Sequence, residues 1–154
     1  MIRILIFTLA GMFVHSFAEP GPFSTPGLPS GPRIKLDTMA DRDPVYPGDG
    51  FKLYLSVQIE EGWHIYSLQP LDGNELLATQ IFLEDNVFES SGDWQESSPS
   101  LIQDDAQAKR VKAHTHIAEF HKNFHIPENF NPGSYRINGK LHYRACDNKL
   151  CTLP

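Results

Sequence analysis

Phe51 to Glu60 alternates without a break. Phe51, Leu53, Leu55, Val57 and Ile59 fall on one parity, and Lys52, Tyr54, Ser56, Gln58 and Glu60 on the other. Side chains of a strand point to opposite faces in turn, so this stretch is a strand with one face packed and the other wet. That pattern rules out a helix here and asks for a second apolar layer to cover the packed face.

The rest of the chain from Arg33 supplies that layer in short pieces. Ile34 to Asp37 alternates, and Asp43 to Gly50 is dense in turn formers. Glu61-Gly62 turns the chain into the short aromatic strand Trp63 to Ser67. Thr79 to Leu83 and Val87 to Glu89 are further strand candidates around the turn Asp85-Asn86. Ser90 to Ala108 is polar without a period, and reads as a long loop with one helical turn. Ala118, Phe120, Phe124 and Ile126 share a face that Lys122 interrupts, the mark of a bulge or an edge strand. Tyr135, Ile137, Leu141 and Tyr143 then share one parity through Gly139. About seven strands with turn signals between them, and no long amphipathic helix, predict an all-β fold, an immunoglobulin-like antiparallel β-sandwich.

Ahead of this domain the composition changes. Met1 to Ala18 has Arg3 near its start, an apolar run from Ile4 to Val14, and small residues at Ser16 and Ala18. It reads as a secretory signal peptide, and its apolar run is shorter than the about 20 residues that span a bilayer. Glu19 to Pro32 holds five prolines and three glycines in fourteen residues, a linker that cannot bury a core. The expected division is therefore signal peptide 1–18, linker 19–32 and sandwich 33–154. Removing Arg3 with the leader turns the formal charge of −6 into −7. A mildly acidic chain without a basic run argues against nucleic acid and anionic lipid as partners.

Export bears on the two cysteines, Cys146 and Cys151, which have four residues between them at the end of the chain. In an oxidising compartment such a pair is expected to meet as a disulfide. Parity along Leu141 to Cys146 puts Leu141, Tyr143 and Ala145 on the core side. His142, Arg144 and Cys146 then face outward, where neighbouring positive charge would favour a thiolate. A loop this short is worth only about 2 kcal/mol as a clamp, and a sandwich of this size has a core without it.

His64, His114, His116, His121, His125 and His142 belong to the domain, and His114 with His116 could join the thiols in a copper or zinc site. No ligand spacing singles out a metal, and no cofactor motif, phosphate loop or Ser-His-Asp arrangement is present. Trp63 and Tyr66 read as core and rim, and Lys109 to Lys112 as a solvated basic loop.

Pro47-Gly48, the long alternating strand, Gly62-Trp63-His64-Ile65-Tyr66-Ser67 and the closing Tyr143-Arg144-Ala145-Cys146-Asp147-Asn148-Lys149-Leu150-Cys151-Thr152-Leu153-Pro154 resemble, in that order, the amino-terminal periplasmic domain of the thiol:disulfide interchange protein DsbD. The resemblance implies an immunoglobulin-like domain whose cysteines cycle between dithiol and disulfide. It implies transfer of electrons to thioredoxin-like periplasmic proteins, including those of cytochrome c maturation, with Cys151 the exchanging sulfur and Cys146 the resolving one. The family's membrane and thioredoxin-like domains have no counterpart here, so the membrane electron donor is expected to be a separate protein, and the last strand is expected to be missing. The family's cap loop would fall in Ala106 to Thr115, which has no aromatic residue, and the acidic residue beside its thiols has no evident match, Asp147 being adjacent only in sequence. On this reading both sulfurs should be reachable and labile. The rival readings are a binding module with a structural disulfide and a metal-handling domain.

Overall fold

The computed structural model describes residues 33–84 and 87–152. The expected signal peptide, the linker, the Asp85-Asn86 turn and the last two residues lie outside them. The described residues hold ten strands: β1 (Ile34–Ala40), β2 (Gly50–Ile59), β3 (His64–Tyr66), β4 (Gln80–Leu83), β5 (Glu89–Glu96), β6 (Ser100–Asp104), β7 (Lys109–Thr115), β8 (Ile117–His125), β9 (Gly139–His142) and β10 (Ala145–Cys146). A 3-10 turn, Glu75–Leu77, interrupts the strands. Among the described residues no helix is long and apolar enough to cross a membrane.

Two antiparallel four-stranded sheets, in the orders β1-β2-β8-β5 and β10-β3-β7-β6, form the sandwich, and β4 pairs with β9 in a separate ribbon. The long alternation becomes β2. Phe51, Leu55, Val57 and Ile59 are buried, with Leu55, Val57 and Ile59 in the main core, together with Trp63, Ile65, Ala118, Phe120 and Ala145. Gly62 turns the chain from β2 into β3 at φ +82°, a left-handed conformation open to glycine. Ile81 of β4 and Leu141 of β9 pack against the same core. Gly139 permits that ribbon, since a Cβ there would stand 2.7 Å from the Phe82 carbonyl oxygen.

Several expectations need correction. Ser90 to Ala108 is not a long loop, because it holds β5, β6 and the turn between β6 and β7. Most of these residues are exposed on β5, an edge strand, so their composition carries no burial period. Lys122 marks neither an edge nor a bulge in its own strand. β8 lies between β2 and β5, with unbroken register against β2. The irregularity is in β5, between Ser91 and Gln95, and the Lys122 ammonium donates to the Gly92 carbonyl there. Lys109 to Lys112 is not loop but the start of β7, with Val111 buried. Of the Tyr135 to Tyr143 run only Gly139–His142 is strand.

Candidate functional site

The cysteines close a hairpin at the edge of the second sheet. Cys146 ends β10, which pairs with β3 through Ala145↔Ile65 and Cys146↔His64. Asp147 turns the chain back. Its carboxylate accepts the N–H groups of Lys149 and Leu150 at 2.7 and 2.8 Å, and its own N–H donates to the Leu150 carbonyl. Those two N–H groups hold the Asp147 carboxyl below the usual carboxylate range. Thr152 then bonds both backbone groups of Ala145, and Cys146 and Cys151 face each other as an isolated antiparallel bridge. The two sulfurs are joined as a disulfide.

β3, β6 and β7 supply the surroundings. Tyr66 stands on the same face of β3 as His64, and its hydroxyl lies 2.9 Å from the Cys146 sulfur and 4.0 Å from that of Cys151. The same hydroxyl donates to Asp104 Oδ2 at 2.6 Å, and His64 Nε2 is 3.3 Å from that oxygen. Asp104 Oδ1 accepts the Gln107 N–H at 3.1 Å, and the Gln107 amide reaches the Cys151 sulfur at 3.4 Å. Burial first, then the bond to Asp104 and its charge, push the Tyr66 hydroxyl far above its ordinary titration range, while Arg144 opposes them weakly. Tyr66 therefore stays protonated, with its one proton turned to Asp104 and its oxygen turned to sulfur.

The parity read from sequence holds, but its consequence does not. Ala145 points into the main core and Cys146 to the opposite face, yet Cys146 is completely buried. That outer face is itself roofed. Leu77 of the 3-10 turn and the returning Cys151 pack with Tyr66, Val111, Ala113 and Cys146 in a second apolar cluster. Cys151 is only partly covered. The expectation of two reachable sulfurs is thus corrected to one.

His142 is not the imidazole beside the sulfur. It is exposed on the β4–β9 ribbon, against Phe82. His114 and His116 do not form a site with the thiols either. His114 is buried between the sheets against Phe120 and Glu96, and His116 is exposed in the turn after β7. Tyr66, read as core or rim, is fully buried as expected and is also the group touching the sulfur. Asp104 and Gln107 carried no signal at all, because cross-strand neighbours are fixed by register between β3, β7 and β6 and not by spacing.

A second polar cluster occupies the other face of these strands. Glu96 of β5 accepts from the Ser67 hydroxyl at 2.5 Å, from the Leu68 N–H at 2.9 Å, and pairs with His114 Nε2 at 2.9 Å. Burial alone would raise its carboxyl, but the bonds from His114, Ser67 and Leu68 outweigh it and hold the group below its ordinary value.

Residues 34–154 match the family described as the amino-terminal part of the thiol:disulfide interchange protein DsbD. The fold is similar to the crystal structure of the N-terminal periplasmic domain of ScsB from Proteus mirabilis, with a TM-score of 0.52 and 23% identity over 82% of this chain. The match covers 45% of that structure's chain, so this chain corresponds to about half of it. No curated protein sequence matches the chain.

Proposed function

Because the chain belongs to the family of DsbD amino-terminal domains, we propose that it is an exported thiol-disulfide exchange domain of the periplasm, with Cys146 and Cys151 as its reacting pair. The observation that carries this reading is the asymmetry of the disulfide: Cys151 is partly open, while Cys146 is buried against Tyr66 and Asp104. Exchange takes place at one sulfur at a time, so one accessible sulfur is sufficient.

The steps follow from that geometry. A membrane-bound dithiol donor reduces the pair, breaking the S–S bond and leaving two thiols. The Cys151 thiolate attacks the disulfide of a thioredoxin-like partner, forms a mixed disulfide and releases one partner thiolate. Cys146 then attacks the Cys151 sulfur, restores the internal disulfide and releases the second partner thiolate, so two electrons have moved to the partner. Before that attack Cys146 must lose its proton. The line from its sulfur to Tyr66 Oη and on to Asp104 Oδ2, 2.9 and 2.6 Å long, is a path to a buried acceptor. The signal peptide at 1–18, the linker at 19–32 and delivery to cytochrome c maturation belong to the same proposal.

The rival is a binding module with a structural clip, and the disulfide's position across a short hairpin is what favours it. Two measurements separate the readings. An exchanging pair equilibrates at roughly −200 to −250 mV, and a structural bridge lies below about −300 mV. The Cys146→Ala variant should trap a mixed disulfide through Cys151 with a thioredoxin-fold protein. A potential below that limit together with no trapped adduct would leave only the clip.

A further inference from the structure

We propose that the reduced form of this domain is a zinc site, built from the sulfurs of Cys146 and Cys151, His64 Nε2 and the Asp104 carboxylate. The donor atoms of His64, Asp104 and Cys146 all lie within 4.8 Å of one another, and the three residues are buried. Cys151 brings the fourth donor, because the hairpin holds its sulfur against that of Cys146. Zinc bonds of about 2.0 to 2.3 Å put tetrahedral donors about 3.3 to 3.8 Å apart. For His64, Asp104 and Cys146, closing the present spacing therefore takes about 1 Å of side-chain movement, and the Cys151 sulfur joins them by parting from Cys146 once the disulfide is reduced. Four residues between the cysteines is also within the range zinc sites use.

Donor chemistry selects the ion. Two thiolates alone would suit a soft monovalent cation, but an imidazole and a hard carboxylate complete a set that favours a borderline divalent one. The surrounding bonds are those of a supported site. Tyr66 donates to Asp104 Oδ2, the Gln107 backbone donates to Asp104 Oδ1, and the Gln107 side chain reaches the Cys151 sulfur. His114 and His116, the pair that sequence suggested, take no part.

Binding is conditional on redox state. In the disulfide the sulfur electron pairs needed as thiolates are committed to the S–S bond. A dithiol reductant supplies two electrons and two protons to open it, and zinc then displaces both protons from the thiols. Zinc neither gains nor loses electrons, so the bound form holds the pair reduced and unable to attack a partner disulfide. The proposal shares with the exchange reading only the requirement that the bond can be reduced.

The test uses the chain carrying its leaderless native sequence, reduced with a phosphine and with its free thiols counted before metal is added. Zinc is titrated against a chromophoric chelator. One zinc ion per chain is expected for the reduced protein and no stoichiometric binding for the oxidised one. His64→Gln and Asp104→Asn should each weaken binding by at least the roughly 10- to 100-fold that even outer-shell partners are worth. Cobalt in place of zinc should show thiolate-to-metal charge transfer with tetrahedral visible bands, a readout on the unaltered chain should either variant fail to fold. Two counted thiols with zinc bound no more tightly than by the oxidised chain would overturn the site and leave the exchange proposal standing. Affinity unchanged in both folded variants would also overturn it, as a bare dithiol would then explain the binding. A bond that resists the phosphine removes both readings.

Discussion

Tyr66 and Ser67 are neighbours in sequence, yet they belong to two polar clusters on opposite faces of the same sheet. On the inner face Ser67 and His114 meet Glu96, which comes from the other sheet. On the outer face Tyr66 and His64 meet Asp104, which comes from the same sheet, and the cluster ends at a disulfide. Both carboxylates are well supplied with partners, but the partners differ in kind. Around Glu96 every group is a stable hydrogen-bonding group, so the cluster ties layer to layer. Around Asp104 one neighbour is a disulfide, and on the proposed reading opening it changes how many protons the cluster holds. A saturated buried network gives rigidity, and one that ends on sulfur adds chemistry to the same burial.

If that contrast is right, the largest effect on stability belongs to the inner cluster. Glu96→Ala would strand the Ser67 hydroxyl, the Leu68 N–H and the His114 ring in the sandwich interior. Breaking one partner of a buried pair is expected to cost about 3 kcal/mol or more, seen as a lower urea midpoint. The reduction potential of the surviving folded protein should stay in place. A shifted potential with unchanged stability would reverse the roles assigned to the two faces.

Next in size is Tyr66→Phe, which should dissociate the two quantities the other way. Losing one hydroxyl is worth about 1 kcal/mol of stability. Removing the link between the Cys146 sulfur and Asp104 should slow the resolving step by about 100-fold, the lower end of general acid–base contributions. Single-turnover kinetics with a model disulfide read this directly. A resolving rate within twofold, about the scatter of such measurements, of the parent would mean that the proton leaves by another route.

Asp104→Asn sharpens the same point through equilibrium. A carboxylate near sulfur opposes the thiolate, so removing its charge favours the reduced pair. Measured near pH 8.5, the ordinary cysteine value, the potential should rise by up to about 30 mV, which for two electrons matches one pKa unit. A fall in potential would contradict the electrostatic sign assumed for Asp104.

How much of this contrast was legible beforehand depends on the range of the interactions. The sandwich was readable because β2 alternates over its whole length and Val57 and Phe120, both fully buried, sit on the parities expected for them. Burying either side chain is worth about 1.5 to 3 kcal/mol, comparable with the about 2 kcal/mol of the short disulfide loop. The core therefore outweighs the clamp, as composition suggested. Strands β5 and β6 were not readable, since an exposed edge strand has no apolar face to announce it. The cysteines were evident as a pair, and the facing of Cys146 followed from parity. Its burial did not, because the cover comes from Leu77, remote in sequence, folded over the sheet. Tyr66, Asp104 and Cys146 are brought together by pairing across β3, β7, β6 and β10, and local pattern has no access to that register.

The smallest expected effect tests whether the inner cluster is as inert as the comparison holds. The Glu96 carboxyl is held below its ordinary value of 4.5 in the folded chain. A depressed carboxyl contributes stability that is fully present above the unfolded value, and that stability is lost as pH falls through the folded one. Glu96→Gln should therefore flatten the acid limb of the stability curve. The gap between parent and variant should be widest near neutrality and narrow steadily below about pH 4.3, the usual glutamate range. Potential against pH, measured on the same two proteins, should run parallel throughout, because Glu96 and the sulfurs lie on opposite faces of the sheet. Curves that diverge where Glu96 titrates would show that the two faces communicate, and the sheet between them would then be part of the redox device.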